Sequence, residues 1–195
     1  MFRYLAYSGC VLSMVLLCPV AAMPAAKSCE GGPPTAQSYT WNFSREASAL
    51  LDGVASDAVQ ARDHAAKLES MMVDANVGWA AHAFELSQIR AEVNDMGSKL
   101  CRLETIRRVS APWEQQAIRR AAPLIARMVA NAEAAIQFMN GHQEDLFQPG
   151  YRALGTNLYN ESDNLARSVR EFENYAKVHH EDMQLERTLG LIKRS

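Results

Sequence analysis

Proline is almost missing from most of this chain: beyond Pro34 there are only Pro112, Pro123 and Pro149. Glycine is equally sparse there, and no stretch alternates apolar with polar residues. A β-sandwich or barrel needs a turn roughly every 8–12 residues, so all-β folds are excluded. Cysteine is scarce as well. No Cys-x-x-Cys-His occurs, which removes covalent haem attachment. Glu-x-x-His and His-Glu-x-x-His are absent, so neither the di-iron bundle motif nor the zinc peptidase motif is present. No Gly-x-Ser-x-Gly elbow occurs, and Gly31-Gly32 runs into prolines where a phosphate loop would need a helix and a lysine. The net charge of −2 carries no basic excess, and no nucleic-acid partner is expected.

What is present begins with an export signal. Met1-Phe2-Arg3 is short and positive, Leu5 to Val20 is an apolar run without a charge, and Val20-Ala21-Ala22 supplies small residues for a peptidase. The pattern predicts a signal peptide over 1–22, cleaved after Ala22, and a chain that is then soluble and secreted or periplasmic. An uncleaved anchor is the alternative, because about 20 apolar residues can span a bilayer. Pro19 and the alanine-rich end favour cleavage. Cleavage leaves Cys29 and Cys101, which in an oxidising compartment read as a disulfide. Such a bond closes a loop of about 70 residues and adds roughly 4 kcal/mol in the chain-entropy view. A non-reducing peptide map of the exported protein should contain a linked Cys29–Cys101 peptide that disappears on reduction; two separate thiol peptides would refute the pairing.

Residues 23–43 read as an extended N-terminal arm, on the strength of Gly31-Gly32-Pro33-Pro34 and small polar neighbours. From 44 to 195 the apolar residues step by 3 and 4, the 3.5-residue period of helices lying along nearly parallel neighbours. The first helix, about Ser44 to Met72 with Ser44 as N-cap, carries Ala47, Leu51, Val54, Ala58, Ala61, Ala65, Leu68 and Met72. The second, about Trp79 to Arg108, carries Trp79, His82, Leu86, Ile89, Val93, Met96, Leu100 and Leu103. Ser110-Ala111-Pro112 restarts the chain, with serine as cap and proline in a first turn. The third helix, about Pro112 to Asn140, carries Ile118, Ala121, Ile125, Met128, Ala132, Ala135 and Met139, and Pro123 should kink it. The fourth, about Tyr151 to Leu189, carries Leu154, Leu158, Ser162, Leu165, Val169, Phe172, Ala176, His179 and Met183.

Four long helices with short connections predict an all-α, up-down-up-down four-helix bundle, with the fourth helix overhanging or bending. With the start of the first helix as the bottom, residues near 110 and 180–190 also lie at the bottom, and those near 75 and 140–150 at the top. The alanine-rich first helix should be the most closely packed, with Gly53 and Gly97 at similar heights. Trp41, Trp79 and Trp113 stand at helix starts and should plug the bundle ends. Glu85, Glu92 and Glu104 fall off the second stripe and read as a solvated face. Arg107, Arg108, Arg119, Arg120, Lys193 and Arg194 gather at the bottom, as helix-end cations or as a patch for anionic headgroups.

The candidate ligands for a metal are His82, His142 and His179. His82 and His142 belong to the top and His179 to the bottom, so no single ion can take all three. In architecture the chain is similar to the four-helix cytochromes that hold haem between one His and one Met. That resemblance implies a His near the end of the last helix, where His179 stands, and a Met near the start of the first, where none does. The sequence therefore predicts a non-catalytic interaction or structural protein of the cell envelope, without a cofactor and with an unidentified protein or envelope partner. Its expected contact surface is the overhang of the fourth helix, or Phe84 and Phe147. A metal- or haem-bearing bundle using His82 with His142, or His179, is the alternative. A small apolar ligand between helices near Pro123 is a third reading.

Overall fold

The structure, a computed structural model, describes residues 43–74 and 76–189. The expected signal segment over 1–22, most of the expected arm with Cys29 and Trp41, and Lys193 and Arg194 lie outside the described residues. The chain is an all-α, up-down-up-down four-helix bundle: α1 Phe43–Met71, α2 Trp79–Ile106, α3 Pro112–Gly141 and α4 Pro149–Thr188. A single turn of 3₁₀ helix, Arg107–Val109, joins α2 to α3. Among the described residues there is no strand, and no helix is long and apolar enough to cross a membrane.

Cross-helix pairs fix the directions. Between α1 and α2, Glu46 meets Arg102, Asp57 meets Lys99 and His64 meets Glu85, so one index rises as the other falls. Arg62 with Asp163 and Met72 with Gly155 set α1 against α4 in the same way, and Arg127 with Glu161 and Phe138 with Tyr151 do so for α3 and α4. Helix α1 packs most extensively on α2 and α4, while α2 and α3 touch each other least among neighbours.

The core follows the stripes read from the sequence, complete along the first and third and interrupted along the second and fourth, where Trp79 and His179 are exposed and Leu100, Leu154, Phe172, Ala176 and Met183 are only half-buried. Every named position of the first stripe is buried, from Ala47 to Met72, as is every position of the third from Ile118 to Met139. Four of the first eight are alanines, so α1 lets its neighbours come close. One glycine lies against the flexible end of a side chain on α2. A Cβ on Gly53 would sit 2.9 Å from Lys99 Cε, whereas Gly97 faces open space and plays no part in the expected pairing. The second close approach is at Gly155, where a Cβ would lie 2.9 Å from the Met72 methyl.

Three local expectations are corrected. Phe43 is already helical and Ser44 lies inside the first turn of α1, its hydroxyl committed to Glu114 rather than to capping. Ser110 does not cap α3; its hydroxyl donates back to the Ile106 carbonyl, and Ala111 holds the cap position. Trp79 is 47% exposed, because the helices around it end at that level and leave only one side of the ring covered. Pro123 is carried inside α3 on its exposed face, where the Arg119 carbonyl freed by proline can bind water.

Candidate functional site

Three polar assemblies and one apolar surface stand out, and each begins with a residue placed at a helix edge or end. At the bottom, Glu114 is completely buried in the first turn of α3. Its Oε1 accepts hydrogen bonds from the Ser44 and Ser48 hydroxyls, both 2.9 Å, and its Oε2 accepts the Ala111 backbone N–H at 2.7 Å. The carboxylate satisfies an otherwise orphaned donor of α3 and lies where the helix dipole favours a negative charge. It also ties α1 to α3 across the diagonal of the bundle.

Along the α1–α2 edge runs a polar seam. Lys99 Nζ lies 2.5 Å from Asp57 Oδ2, Arg102 Nε lies 2.6 Å from Glu46 Oε1, and His64 Nδ1 lies 2.6 Å from Glu85 Oε2. Asp57 and Glu85 are both buried, so the expected solvated face of α2 is corrected at Glu85: pairing with His64 compensates its removal from water. Glu92, half-buried between them, takes up a proton more readily than an ordinary glutamate. Burial is the main cause, the negative charges of Asp57 and Asp95 add to it, and His64 and Lys99 oppose it. A carboxylate-oriented imidazole such as His64–Glu85 can act as a general base, but only beside a nucleophile or a substrate cavity. The open hollows between α2 and α3, at the start of α4 and along its end are lined by neither residue.

At the top, rings from three helices form a cluster. His142 stacks on Phe138 with centroids 4.2 Å apart, Phe138 stacks on Tyr151 at 5.1 Å, and Tyr151 meets His82 at 5.8 Å. His82 and Tyr151 are fully buried. The Tyr151 hydroxyl is 3.4 Å from His82 Nδ1, a long contact, and His82 Nε2 is buried without a partner among the described residues. Burial alone lowers the proton affinity of His82 and raises that of the Tyr151 phenolate.

The apolar surface is the lower end of α4. From Asn174 onward only Ala176 and Met183 are even half-buried. Tyr175, Val178, Leu185 and Leu189 are each about three-fifths exposed. Trp113, at the start of α3, closes one side of a shallow hollow of about 300 Å³ with Tyr175, His179, Met183 and Arg187.

The structure thus separates the three sequence-predicted histidines. His82 is in the core at the top, and His142 is exposed at the same end beyond the Phe138–Tyr151 stack, its Nδ1 3.0 Å from the Phe138 carbonyl. His179 is exposed near the bottom, off the expected core stripe. Among the described residues no three of His, Cys, Asp and Glu come together to hold a metal ion. Cys101 lies half-buried on α2, with Cys29 outside the described residues. Arg107 pairs with Glu104, while Arg108, Arg119 and Arg120 are exposed. No protein-family model, curated protein or solved structure matches the chain.

Sequence reasoning missed Glu114, Tyr151 and the seam, although signals were there. Glu114 and Tyr151 continue the third and fourth stripes one step back, and Glu114 also stands three residues after the cap position, where a glutamate reaches back to the cap N–H. The seam residues Glu46, Asp57, His64, Glu85, Glu92, Lys99 and Arg102 each stand one position before a stripe residue, the flanking edge where coiled helices place charges.

Proposed function

We propose that this is an exported, non-catalytic interaction protein of the cell envelope, and that it binds its partner with the lower end of α4. The observation that carries this reading is the row Tyr175, Val178, Leu185 and Leu189, exposed along one face of the lower end of α4. An isolated helix of about 15 residues is marginal in water, so such an end gains stability from a partner that covers its apolar face. Residues 171–189 carry Glu171, Glu173, Glu181, Asp182 and Glu186 against Lys177 and Arg187. That acidic balance fits a partner protein presenting an apolar helix flanked by bases.

The test is a photocrosslinking amino acid placed at Val178, at Leu185 and, as control, at exposed Ala126 on α3, in the full chain exported by its own signal. A single adduct of defined mass is expected from Val178 and Leu185, absent from Ala126, and lost when the other overhang residue is changed to Asp. Equal labelling from Ala126, or no adduct from the overhang, would reject the reading. An adduct of twice the chain mass would replace the basic partner with a second copy.

A further inference from the structure

We propose that His82 is an acid-sensitive latch on the upper end of the bundle, and that a proton gained there unseats Tyr151 and opens the α3–α4 connection. His82 is fully buried, its Nε2 has no partner, and its Nδ1 has only the Tyr151 hydroxyl at 3.4 Å. A neutral imidazole tolerates this, because one nitrogen can remain a bare acceptor at modest cost. An imidazolium carries two N–H donors and a full charge, and the Nε2–H would point at carbon.

Among the described residues no carboxylate is bonded to either ring nitrogen, and Asp74, Glu144 and Asp145 of the two upper connections are exposed. From α4 come the Tyr151 phenol and Arg152, whose guanidinium donates to the Met72 carbonyl and would repel a charged ring. From α1 come His64 and Glu69. His64 is bound to Glu85, the buried carboxylate one turn along α2, and Glu69 lies against Gly155 on α4. From α3 comes His142, on the far side of Phe138 and able only to add a second positive charge to the same stack. Burial, and no nearby charge, accounts for the lowered proton affinity of His82.

The mechanical consequence follows from what Tyr151 holds. It is stacked on Phe138 of α3 and sits in the first turn of α4, beside the Arg152 bond to the end of α1. The connection between α3 and α4 is plugged by buried Leu146. Expelling a charged His82 toward water displaces the phenol ring and with it the packing that seats the plug. The folded state binds fewer protons at this site than the unfolded chain. The latch is therefore closed above the ordinary histidine range and loosens as the pH falls from that range toward the lowered value of the buried ring.

Amide hydrogen exchange of the full chain, corrected for intrinsic chemistry, tests this at about pH 7.5 and about pH 5. Peptides covering residues 79–90 and 142–156 should exchange severalfold faster at the lower pH, bounded by about tenfold per pH unit for a single proton. Peptides from the lower half of α3 should not change. His82→Gln and His82→Leu should each abolish the response, while His64→Gln and His142→Gln should retain it. If His82→Leu fails to fold, the Gln variant still decides. Unchanged protection of the wild-type upper end at about pH 5, or a response that survives His82→Gln, overturns the proposal.

Discussion

Replacing Glu114 with alanine should destabilise the bundle by about 3–4 kcal/mol, enough to lower the melting temperature by roughly 10 °C in a chain of this size. Three donors lose their acceptor at once: the Ser44 and Ser48 hydroxyls and the Ala111 N–H. Because Glu114 is fully buried, water can replace the carboxylate only by entering the cavity left behind. Charge-assisted hydrogen bonds are worth about 1.5–3 kcal/mol each, but the two serines share one oxygen and can rotate toward other acceptors. The sum is therefore well below three full bonds. Glu114→Gln separates charge from shape. Its amide oxygen can keep the Ala111 N–H, and its NH₂ can donate to serine hydroxyls that turn to accept. The Gln variant should lose only about 1 kcal/mol. Chemical denaturation of both variants at neutral pH makes the comparison. Equal losses for Ala and Gln would mean that the negative charge at the start of α3, and not the hydrogen-bond geometry, holds this end together.

The fold was legible in the sequence where the 3.5-residue period had neighbours to explain it. The first and third stripes are buried along their whole named length because α1 and α3 are flanked by other helices throughout. The same period failed at Trp79 and His179, which are exposed. A stripe says which side of a helix would face a partner, not whether a partner covers it. The polar interior was less legible because burial of a charge depends on a partner from another helix. Glu85 next to Leu86 looks like any edge carboxylate until α1 supplies His64 at 2.6 Å. Among the site residues, His82 was placed on the core face by spacing alone. Its unpartnered nitrogen is a fact of three-dimensional packing that no periodicity encodes.

Tyr151→Ala should cost about 4 kcal/mol, close to the loss of any fully buried aromatic, whereas Tyr151→Phe should cost only about 1 kcal/mol. Packing outweighs the hydrogen bond here. The ring is completely buried, stacks on Phe138 at 5.1 Å and 13°, and pins the first turn of α4 beneath the end of α3. Its hydroxyl, by contrast, reaches His82 Nδ1 only at 3.4 Å, beyond the usual range for a strong bond. Removing the ring opens a cavity beside Phe138 and His82, at the point where α4 begins. Removing the hydroxyl leaves His82 with no partner on either nitrogen, which is the source of the smaller loss. Both variants are best unfolded at about pH 8, where His82 is neutral and the linkage to protons is silent. A Phe variant as unstable as the Ala variant would show that the long contact carries far more energy than its length allows. The His82–Tyr151 pair, rather than the aromatic stack, would then be what holds the upper end of the bundle shut.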